Sequence, residues 1–183
     1  MMPVLLPPRR RRANASSNDE ARAPPSDAPA SASSRERQAT PQSRRGARFE
    51  ELRVLIVDDD FLFSDMLPKL LVKSVAKPQI HALSARTPRE ALRLLEAQRF
   101  DVVLCDYDLR DGLSGFDVLR AALRAEGAPL RILISGHRPG EVPSMPEGAF
   151  DAFLEKPMTL REVVPLFLDL LHERLGIEFE TRR

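Results

Sequence analysis

Four apolar segments of this chain are each followed by residues suited to phosphoryl chemistry. Carboxylates that converge on one crevice repel one another, and burying them without compensation is costly. A divalent cation relieves this repulsion, and Mg²⁺ suits a site of few carboxylates with water and phosphate. A lysine adds positive charge, a serine hydroxyl can donate to a phosphoryl oxygen, and an aspartate can act as nucleophile. The residues concerned are Asp58, Asp59, Asp60, Asp106, Asp108, Ser135 and Lys156.

The segments before these residues are typical of parallel strands buried on both faces. Apolar runs lie at about 54–57, 79–84, 101–105, 130–134 and 152–154. Helical patterns separate them, and we expect helices over about 61–75, from 88 onward, over 116–126 and over 160–175. This alternation predicts a doubly wound α/β domain with helices on both faces of a parallel sheet. The reactive crevice of such a sheet lies beyond the carboxyl ends of its strands, where the candidate residues fall.

Threonine and proline mark several helix boundaries. Thr87 and Thr159 each precede a glutamate by three residues, which is the pattern of a capping box. Pro68 lies within the first predicted helix and should kink it. Pro165 should disturb the early turns of the last helix for the same reason.

Residues 1–50 differ in composition from the rest of the chain. Between Arg9 and Arg48 there is no Val, Ile, Leu, Met, Phe, Tyr, Trp or Cys, so a disordered tail is expected. This tail has ten Arg or Lys against five Asp or Glu, whereas residues 51–183 have 18 against 22. The run at 9–12 could contact nucleic acid, anionic lipid or an acidic partner, but a solvated tail is the simpler interpretation. We expect one folded domain over 51–176 and a short polar tail over 177–183.

Composition also bears on where the protein resides. Cys105 is the single cysteine, so an intrachain disulfide is excluded and a reducing compartment fits. No apolar segment approaches the roughly 18 residues of a membrane span, and the apolar run at the start is too short for a signal peptide. We therefore expect a cytoplasmic protein without a membrane segment.

Each candidate residue also has an ordinary structural interpretation. An acidic pair after a strand is often a solvated turn or a helix cap, Ser135 could simply end a strand, and Lys156 could belong to a loop. Their coincidence at the ends of four parallel strands favours a common site.

The segment from about Leu52 to Leu175 resembles the receiver domain of two-component response regulators. The resemblance rests on four motifs, Val-Leu-Ile-Val-Asp-Asp-Asp, Phe-Asp-Val-Val-Leu-Cys-Asp-Tyr-Asp-Leu, Ile-Leu-Ile-Ser-Gly and Phe-Leu-Glu-Lys-Pro. It implies a flavodoxin-like fold with five parallel strands in the order 2-1-3-4-5. It also implies a role in phosphorelay signal transduction, in which phosphorylation switches the conformation and so regulates a partner.

The resemblance assigns a role to each residue of the site. Asp106 would be the phosphoacceptor, Asp59 a direct ligand of Mg²⁺, and Asp58 a ligand largely through water, with the backbone carbonyl of Asp108 completing the protein ligands. Ser135 would move toward the phosphoryl group, Lys156 would form an ion pair with it, and Phe153 would be the aromatic switch. The Lys156-Pro157 bond would be cis.

The same resemblance implies partners. A sensor histidine kinase or a phosphotransfer protein would supply the phosphoryl group, and an unknown downstream protein would respond to it. The domain would catalyse only its own phosphorylation and dephosphorylation, so it would not be an enzyme with turnover. We expect no DNA-binding domain, since a short polar stretch follows Leu175.

Two regions depart from the family. Arg110 stands where a proline is usual in the family, and the loop that follows it, over 111–115, is one residue longer than in the family. Residues 136–148 contain Pro139, Gly140, Pro143 and Pro146, which predicts an irregular fourth helix. In the family this helix belongs to the surface that contacts the downstream partner, so the sequence does not predict which surface serves that purpose here.

Two other functions are compatible with parts of the pattern. Asp106 and Asp108 after an apolar strand also resemble the first motif of haloacid-dehalogenase-like phosphatases, although there the nucleophile strand precedes the acidic pair. A receiver-like module that binds a partner without being phosphorylated is the second alternative, and the full set of site residues argues against it.

Overall fold

Five parallel strands form the central sheet of the protein. The computed structural model describes residues 4–5, 49–110, 112–137, 148–156 and 158–182. The strands lie side by side in the order β2-β1-β3-β4-β5, so the predicted flavodoxin-like order 2-1-3-4-5 is confirmed. Residues Val4–Leu5 extend the sheet at one edge, antiparallel to β5. The strands are β1 (Glu51–Val57), β2 (Gln79–Ala85), β3 (Val102–Asp106), β4 (Leu130–Ser135) and β5 (Ala152–Glu155).

Helices cover both faces of this sheet. Side chains along each strand point alternately to one face and to the other, so a continuous apolar run fills two cores. Val54 and Ile56 of β1 belong to the core beneath α1 and α4, whereas Leu55 and Val57 belong to the core beneath α2 and α3. The helices are α1 (Leu67–Ser74), α2 (Pro88–Ala97), α3 (Gly115–Ala122) and α4 (Leu160–Leu175).

The first helix begins with a π-helical turn over Leu62–Met66 and continues as α1. Pro68 lies at the second position of α1. It has no N–H to donate, and its ring crowds the carbonyl four residues earlier, so a wider turn before it is expected. We predicted a kink at Pro68, and the structure shows a change of helix type in the turn before it.

The capping box predicted at α4 forms, whereas the one predicted at α2 forms only in part, because the Glu90 carboxylate accepts from the Arg86 backbone N–H and not from that of Thr87. The Glu90 backbone N–H donates to Oγ1 of Thr87 at 3.2 Å. At α4, the Thr159 backbone N–H donates to Oε2 of Glu162 at 2.7 Å. Each bond satisfies a backbone donor that a helix or its cap would otherwise leave unpaired.

Two helix predictions were wrong. The third helix ends at Ala122 and not near 126, because hydrogen bonds spanning three residues tighten the chain after it and Gly127 and Ala128 have positive φ. Pro165 does not interrupt α4, which runs unbroken over sixteen residues. Its apolar face is buried against the sheet, and this packing outweighs one missing backbone hydrogen bond.

The residues after α4 pack against the domain. Ile177 is buried, and Phe179 contacts the core beneath α1 and α4. Glu180–Thr181 pairs antiparallel with Val75–Lys77, a short strand that follows α1. The polar composition of residues 177–183 predicted only a tail, because two apolar residues are too few to show a periodic pattern.

Three predictions concern residues outside the described ranges. The disordered tail over 1–50 lies outside them apart from 4–5 and 49–50. The irregular segment over 136–148 lies outside them at 138–147, and so does Pro157, whose preceding peptide was expected to be cis. All three stay predictions. In the described part of the chain, no helix is both long and apolar enough to cross a membrane.

Candidate functional site

The ends of β1 and β3 bring three carboxylates together. Val57 and Cys105 lie opposite each other in the last pair of the β1–β3 ladder, so Asp58 and Asp106 follow at the same level of the sheet. One carboxylate oxygen from each of Asp58, Asp59 and Asp106 lies within 4.8 Å of the other two. The sequence predicted this convergence, and the structure places these side chains accordingly.

Lys156 joins the carboxylates from the other side of the crevice. Its backbone N–H donates to the carbonyl of Ser135 at 2.7 Å, which extends the contact between β5 and β4 past the last residue of β5. Its Nζ lies 3.1 Å from Oδ2 of Asp58 and 2.9 Å from Oδ2 of Asp106. The same ammonium group lies 5.0 Å from the centre of the Phe63 ring, within cation–π range.

Burial dominates the ionisation of the two inner carboxylates. It raises the pKa of Asp106 to about 6, although the charge of Lys156 acts in the opposite direction. Burial also raises the pKa of Asp58, again against the effect of Lys156. For Lys156 itself, burial alone would lower the pKa, but the two carboxylates raise it above its ordinary value. Burial of the two carboxylates therefore carries a desolvation penalty that one lysine only partly offsets.

Asp59 supplies the feature that best fits a metal ion. Its Oδ2 is a buried atom that accepts no hydrogen bond from the described residues. Arg110 Nε lies 2.6 Å from it, a charge contact without hydrogen-bond geometry. A buried carboxylate oxygen without a hydrogen-bond donor, close to two further carboxylates, is suited to a hard divalent cation. The residues present thus fit Mg²⁺.

Asp60, the third acidic residue after β1, has a different task. Its backbone N–H donates to Oδ1 of Asp58 at 2.9 Å, which fixes the inner carboxylate. Its own Oδ1 accepts from the Leu62 backbone N–H at 2.7 Å, at the beginning of the π-helical turn. Asp60 therefore connects the site to the start of the first helix.

The other predicted site residues occupy different surroundings. Ser135 is buried at the end of β4, and its Oγ accepts from the His137 backbone N–H at 3.0 Å. Asp108 has an exposed side chain that lies 3.3 Å from Nδ1 of His137. Phe153 is fully buried, with its ring centre 6.1 Å from that of Phe150 in the core beneath α2 and α3.

Three contacts at the site were not predicted. Arg110 was noted as a departure from the family, but its contact with Asp59 depends on the path of the loop after β3. His137 beside Asp108 and Phe63 beside Lys156 depend in the same way on how a loop and a helical turn lie over the crevice. For the contact between Arg110 and Asp59, the sequence offered one indication: Arg110 is a cation only four residues after Asp106, and so close to the acidic cluster.

The sequence of the chain matches one family model and is similar to two proteins of that family. The family model described as a response regulator receiver domain matches residues 54–167. The chain is 30% identical over 127 residues to the two-component response regulator ARR11 of Arabidopsis thaliana, covering 68% of this chain and 23% of that protein. It is 33% identical over 123 residues to the response regulator protein PilR of Pseudomonas aeruginosa, covering 64% and 26%. The chain thus spans about a quarter of the length of these relatives.

Solved structures share the fold. A CheY-like response regulator receiver domain protein from Methanospirillum hungatei superposes with a TM-score of 0.56 at 26% identity, over 68% of this chain and 97% of that one. The chemotaxis response regulator CheY4 of Vibrio cholerae gives a TM-score of 0.55 at 21% identity, over 68% and 99%. The match covers almost the whole of each of these chains.

Proposed function

This chain belongs to the receiver-domain family of two-component response regulators, and on that basis we propose that it accepts a phosphoryl group on Asp106 in a Mg²⁺-dependent reaction. One observation supports this assignment most directly. Asp106 lies at the end of β3 with Asp58 and Asp59 on one side and Lys156 2.9 Å away on the other. The proposed nucleophile, the proposed metal ligands and the charge of Lys156 therefore lie within one small crevice.

The ionisation of Asp106 suits it to act as a nucleophile. A pKa of about 6 leaves most of the carboxylate ionised at neutral pH. An oxygen of Asp106 attacks phosphorus, the new O–P bond forms, and the bond from phosphorus to the donor's leaving atom breaks. Lys156 holds Oδ2 of Asp106 in place and offers a positive charge to the incoming phosphoryl oxygens.

Asp58, Asp59, Asp106 and the backbone carbonyl of Asp108 are the proposed protein ligands of Mg²⁺. When bound, the ion neutralises charge on the phosphoryl oxygens during transfer. Asp58 and Asp59 approach Asp106 from the end of β1, and the hydrogen bond from Asp60 orients Asp58.

Ser135 and Phe153 are the proposed response elements. The Ser135 hydroxyl accepts a hydrogen bond from His137 and keeps its own proton available for a phosphoryl oxygen. Phe153 lies on the neighbouring strand, two residues before the end of β5. A shift of Ser135 toward Asp106 would also displace the end of β5, because the Ser135 carbonyl accepts a hydrogen bond from the Lys156 backbone N–H.

The partners follow from the same proposal. A sensor histidine kinase or a phosphotransfer protein supplies the phosphoryl group, and a downstream protein recognises the phosphorylated form. The chain itself promotes only its own phosphorylation and dephosphorylation. A cytoplasmic location is part of the proposal, which cell fractionation would test.

Acetyl phosphate labelling tests the central step. The full chain, incubated with acetyl phosphate and Mg²⁺, should gain one phosphoryl group by intact-mass spectrometry, and EDTA should prevent this. Asp106→Asn should not be labelled, whereas the matched variant Asp108→Asn should be, because only the backbone carbonyl of Asp108 is proposed to take part.

Each competing function gives a different result in this assay. Labelling of Asp106→Asn at the parent level would show that Asp106 is not the acceptor. Sustained hydrolysis of a small phosphate ester would instead favour a phosphatase. Absence of labelling by acetyl phosphate and by purified histidine kinases would favour a module that only binds a partner.

A further inference from the structure

Arg110 places a second cation at the site, in contact with the carboxylate that Lys156 is not paired with. Its Nε lies 2.6 Å from Oδ2 of Asp59. The two side chains differ in their surroundings, since that of Arg110 is 88% exposed and that of Asp59 is 17% exposed. The contact therefore brings a solvent-exposed cation onto a mostly buried carboxylate.

The three carboxylates are thereby divided between two cations. Lys156 contacts Asp58 and Asp106 at 3.1 and 2.9 Å, and Arg110 contacts Asp59. The Asp59 oxygen that Arg110 approaches is also the buried oxygen that accepts no hydrogen bond within the described part of the chain. The atom best suited to a metal ion is thus the atom that Arg110 covers.

We propose that Arg110 is an intramolecular cation that competes with Mg²⁺ for Asp59 and so sets the concentration of Mg²⁺ at which the site becomes active. This inference rests on the proposed function, since it concerns the same metal site. Mg²⁺ binds carboxylate oxygens at about 2.0–2.1 Å and keeps several waters around it. A guanidinium nitrogen in contact with Oδ2 occupies the space that the ion and its waters need. Arg110 must therefore leave Asp59 before Mg²⁺ binds there.

The competition should be moderate. The Arg110 guanidinium is largely exposed, so solvent screens its charge, and its long side chain loses rotamer freedom in the contact. Removing the Arg110 charge should therefore strengthen Mg²⁺ binding by about two- to fivefold. This range is large enough to measure and small enough to leave the site functional.

Arg86 provides a matched control for the general effect of positive charge. Its Nη2 donates to the backbone carbonyl of Asp59 at 3.3 Å, and its guanidinium lies 5.9 Å from the centre of the Phe61 ring. Arg86 thus brings the same charge close to Asp59 through the backbone carbonyl. A change that depends only on net charge near the site should appear equally in Arg86→Gln and Arg110→Gln.

The decisive experiment is a Mg²⁺ titration of the full chain and of Arg110→Gln, Arg86→Gln and Asp59→Asn. Calorimetry reports the affinity directly, and fluorescence of Tyr107 reports it independently, since this is the single tyrosine of a chain without tryptophan and it adjoins Asp106. We expect Arg110→Gln to bind Mg²⁺ about two- to fivefold more tightly than the parent, and Arg86→Gln to change the affinity less than twofold. The gain in Arg110→Gln should shrink in high salt, because salt weakens the ion pair it removes.

Other outcomes would overturn the inference in distinguishable ways. Equal tightening in both arginine variants would mean that net charge, and not contact with Asp59, controls the affinity. Unchanged or weaker binding in Arg110→Gln, with clear binding by the parent, would refute the competition and leave the proposed function intact. Absence of Mg²⁺ binding by the parent and by Arg110→Gln would count against both, whereas binding by Arg110→Gln alone would support the competition.

Discussion

Lys156 and Asp106 form an ion pair of 2.9 Å between Nζ and Oδ2 that spans the end of β4, because β4 lies between β3 and β5. The same Nζ contacts Asp58 at 3.1 Å, so one ammonium group from the end of β5 reaches the ends of the neighbouring strands β1 and β3. The lysine side chain is 22% exposed, and both carboxylates are nearly inaccessible. Its charge is therefore the main compensation for two anions that solvent barely reaches.

Replacing Lys156 by methionine should destabilise the metal-free protein. Two buried carboxylates would lose their shared cation, and breaking a fully buried pair costs about 3–5 kcal/mol. Partial exposure of Lys156 reduces this, so we expect a loss of about 2 kcal/mol in the free energy of unfolding. Urea unfolding in EDTA at pH 7.5 would measure it.

Lys69→Met is the control for this change. Lys69 pairs with Asp65 at 2.8 Å on the surface of the first helix, with its side chain 66% exposed. Loss of that pair should cost less than about 0.5 kcal/mol. Equal losses in the two variants would show that the position of Lys156 among the carboxylates has no special effect on stability.

Arg131→Met should be strongly destabilising at the opposite end of the sheet. Arg131 lies buried on β4, and its guanidinium donates to both carboxylate oxygens of Asp151 and to the carbonyls of Gly148 and Ala149. Removing it leaves a carboxylate and two carbonyls without these donors, at a cost of about 2–4 kcal/mol. Urea unfolding should show this loss, whereas Arg120→Met, which removes an exposed pair with Asp117, should change stability by less than about 0.5 kcal/mol. Similar effects would contradict the importance of the buried network.

Gly115→Ala tests the close approach of α3 to Asp106. A Cβ on Gly115 would overlap the Asp106 carbonyl oxygen and lie 2.9 Å from its carbonyl carbon, so the backbone itself would have to move. We expect a loss of about 2–3 kcal/mol in stability and slower labelling by acetyl phosphate, because the displaced peptide belongs to Asp106. Gly136→Ala is the matched control, since a Cβ there meets no atom of the described residues within 4 Å. A Gly115→Ala protein that melts and labels like the parent would contradict this packing.

The strands and the inner carboxylates were predictable because both depend on local pattern. Runs such as Val54–Val57 are apolar throughout, and a parallel sheet buried on both faces requires that pattern. Asp58 and Asp106 directly follow such runs, so the alignment of strand ends in a parallel sheet brings them together. Lys156 was predictable for the same reason, one residue beyond the end of β5.

Contacts made by loops and termini were not predictable in this way. Arg110 reaches Asp59 only because of the backbone path after β3, and no periodic pattern encodes that path. The pairing of Glu180–Thr181 with Val75–Lys77 joins two very short segments that are far apart in sequence. Pro165 led to the wrong prediction of a disturbed helix, because burial of the apolar face of α4 outweighed the unfavourable effect of a proline within a helix.

The last prediction concerns pH and the charge of Asp106 in metal-free protein. Burial raises the folded-state pKa of Asp106 to about 6 from an ordinary value of 3.8. A carboxylate with a raised pKa destabilises the fold where it is ionised, so this penalty is fully present above pH 6, fades as the pH falls through 6, and is absent below 3.8. The pKa of Asp58 is raised as well and acts in the same direction. Stability of the parent in EDTA should therefore rise between pH 7 and pH 5, by on the order of 1 kcal/mol.

Asp106→Asn removes this ionisation and should flatten the pH dependence. In EDTA at pH 7 the variant should be as stable as the parent or more stable, by on the order of 1 kcal/mol, whereas ordinary substitutions usually destabilise. Mg²⁺ at millimolar concentration should raise the melting temperature of the parent more than that of the variant, because it binds the folded state through these carboxylates. Thermal melts of both proteins, with EDTA and with Mg²⁺ at pH 7 and pH 5, would measure all three effects. A metal-free variant that melts well below the parent would show that ionised Asp106 stabilises the fold, contrary to the desolvation penalty inferred from its burial.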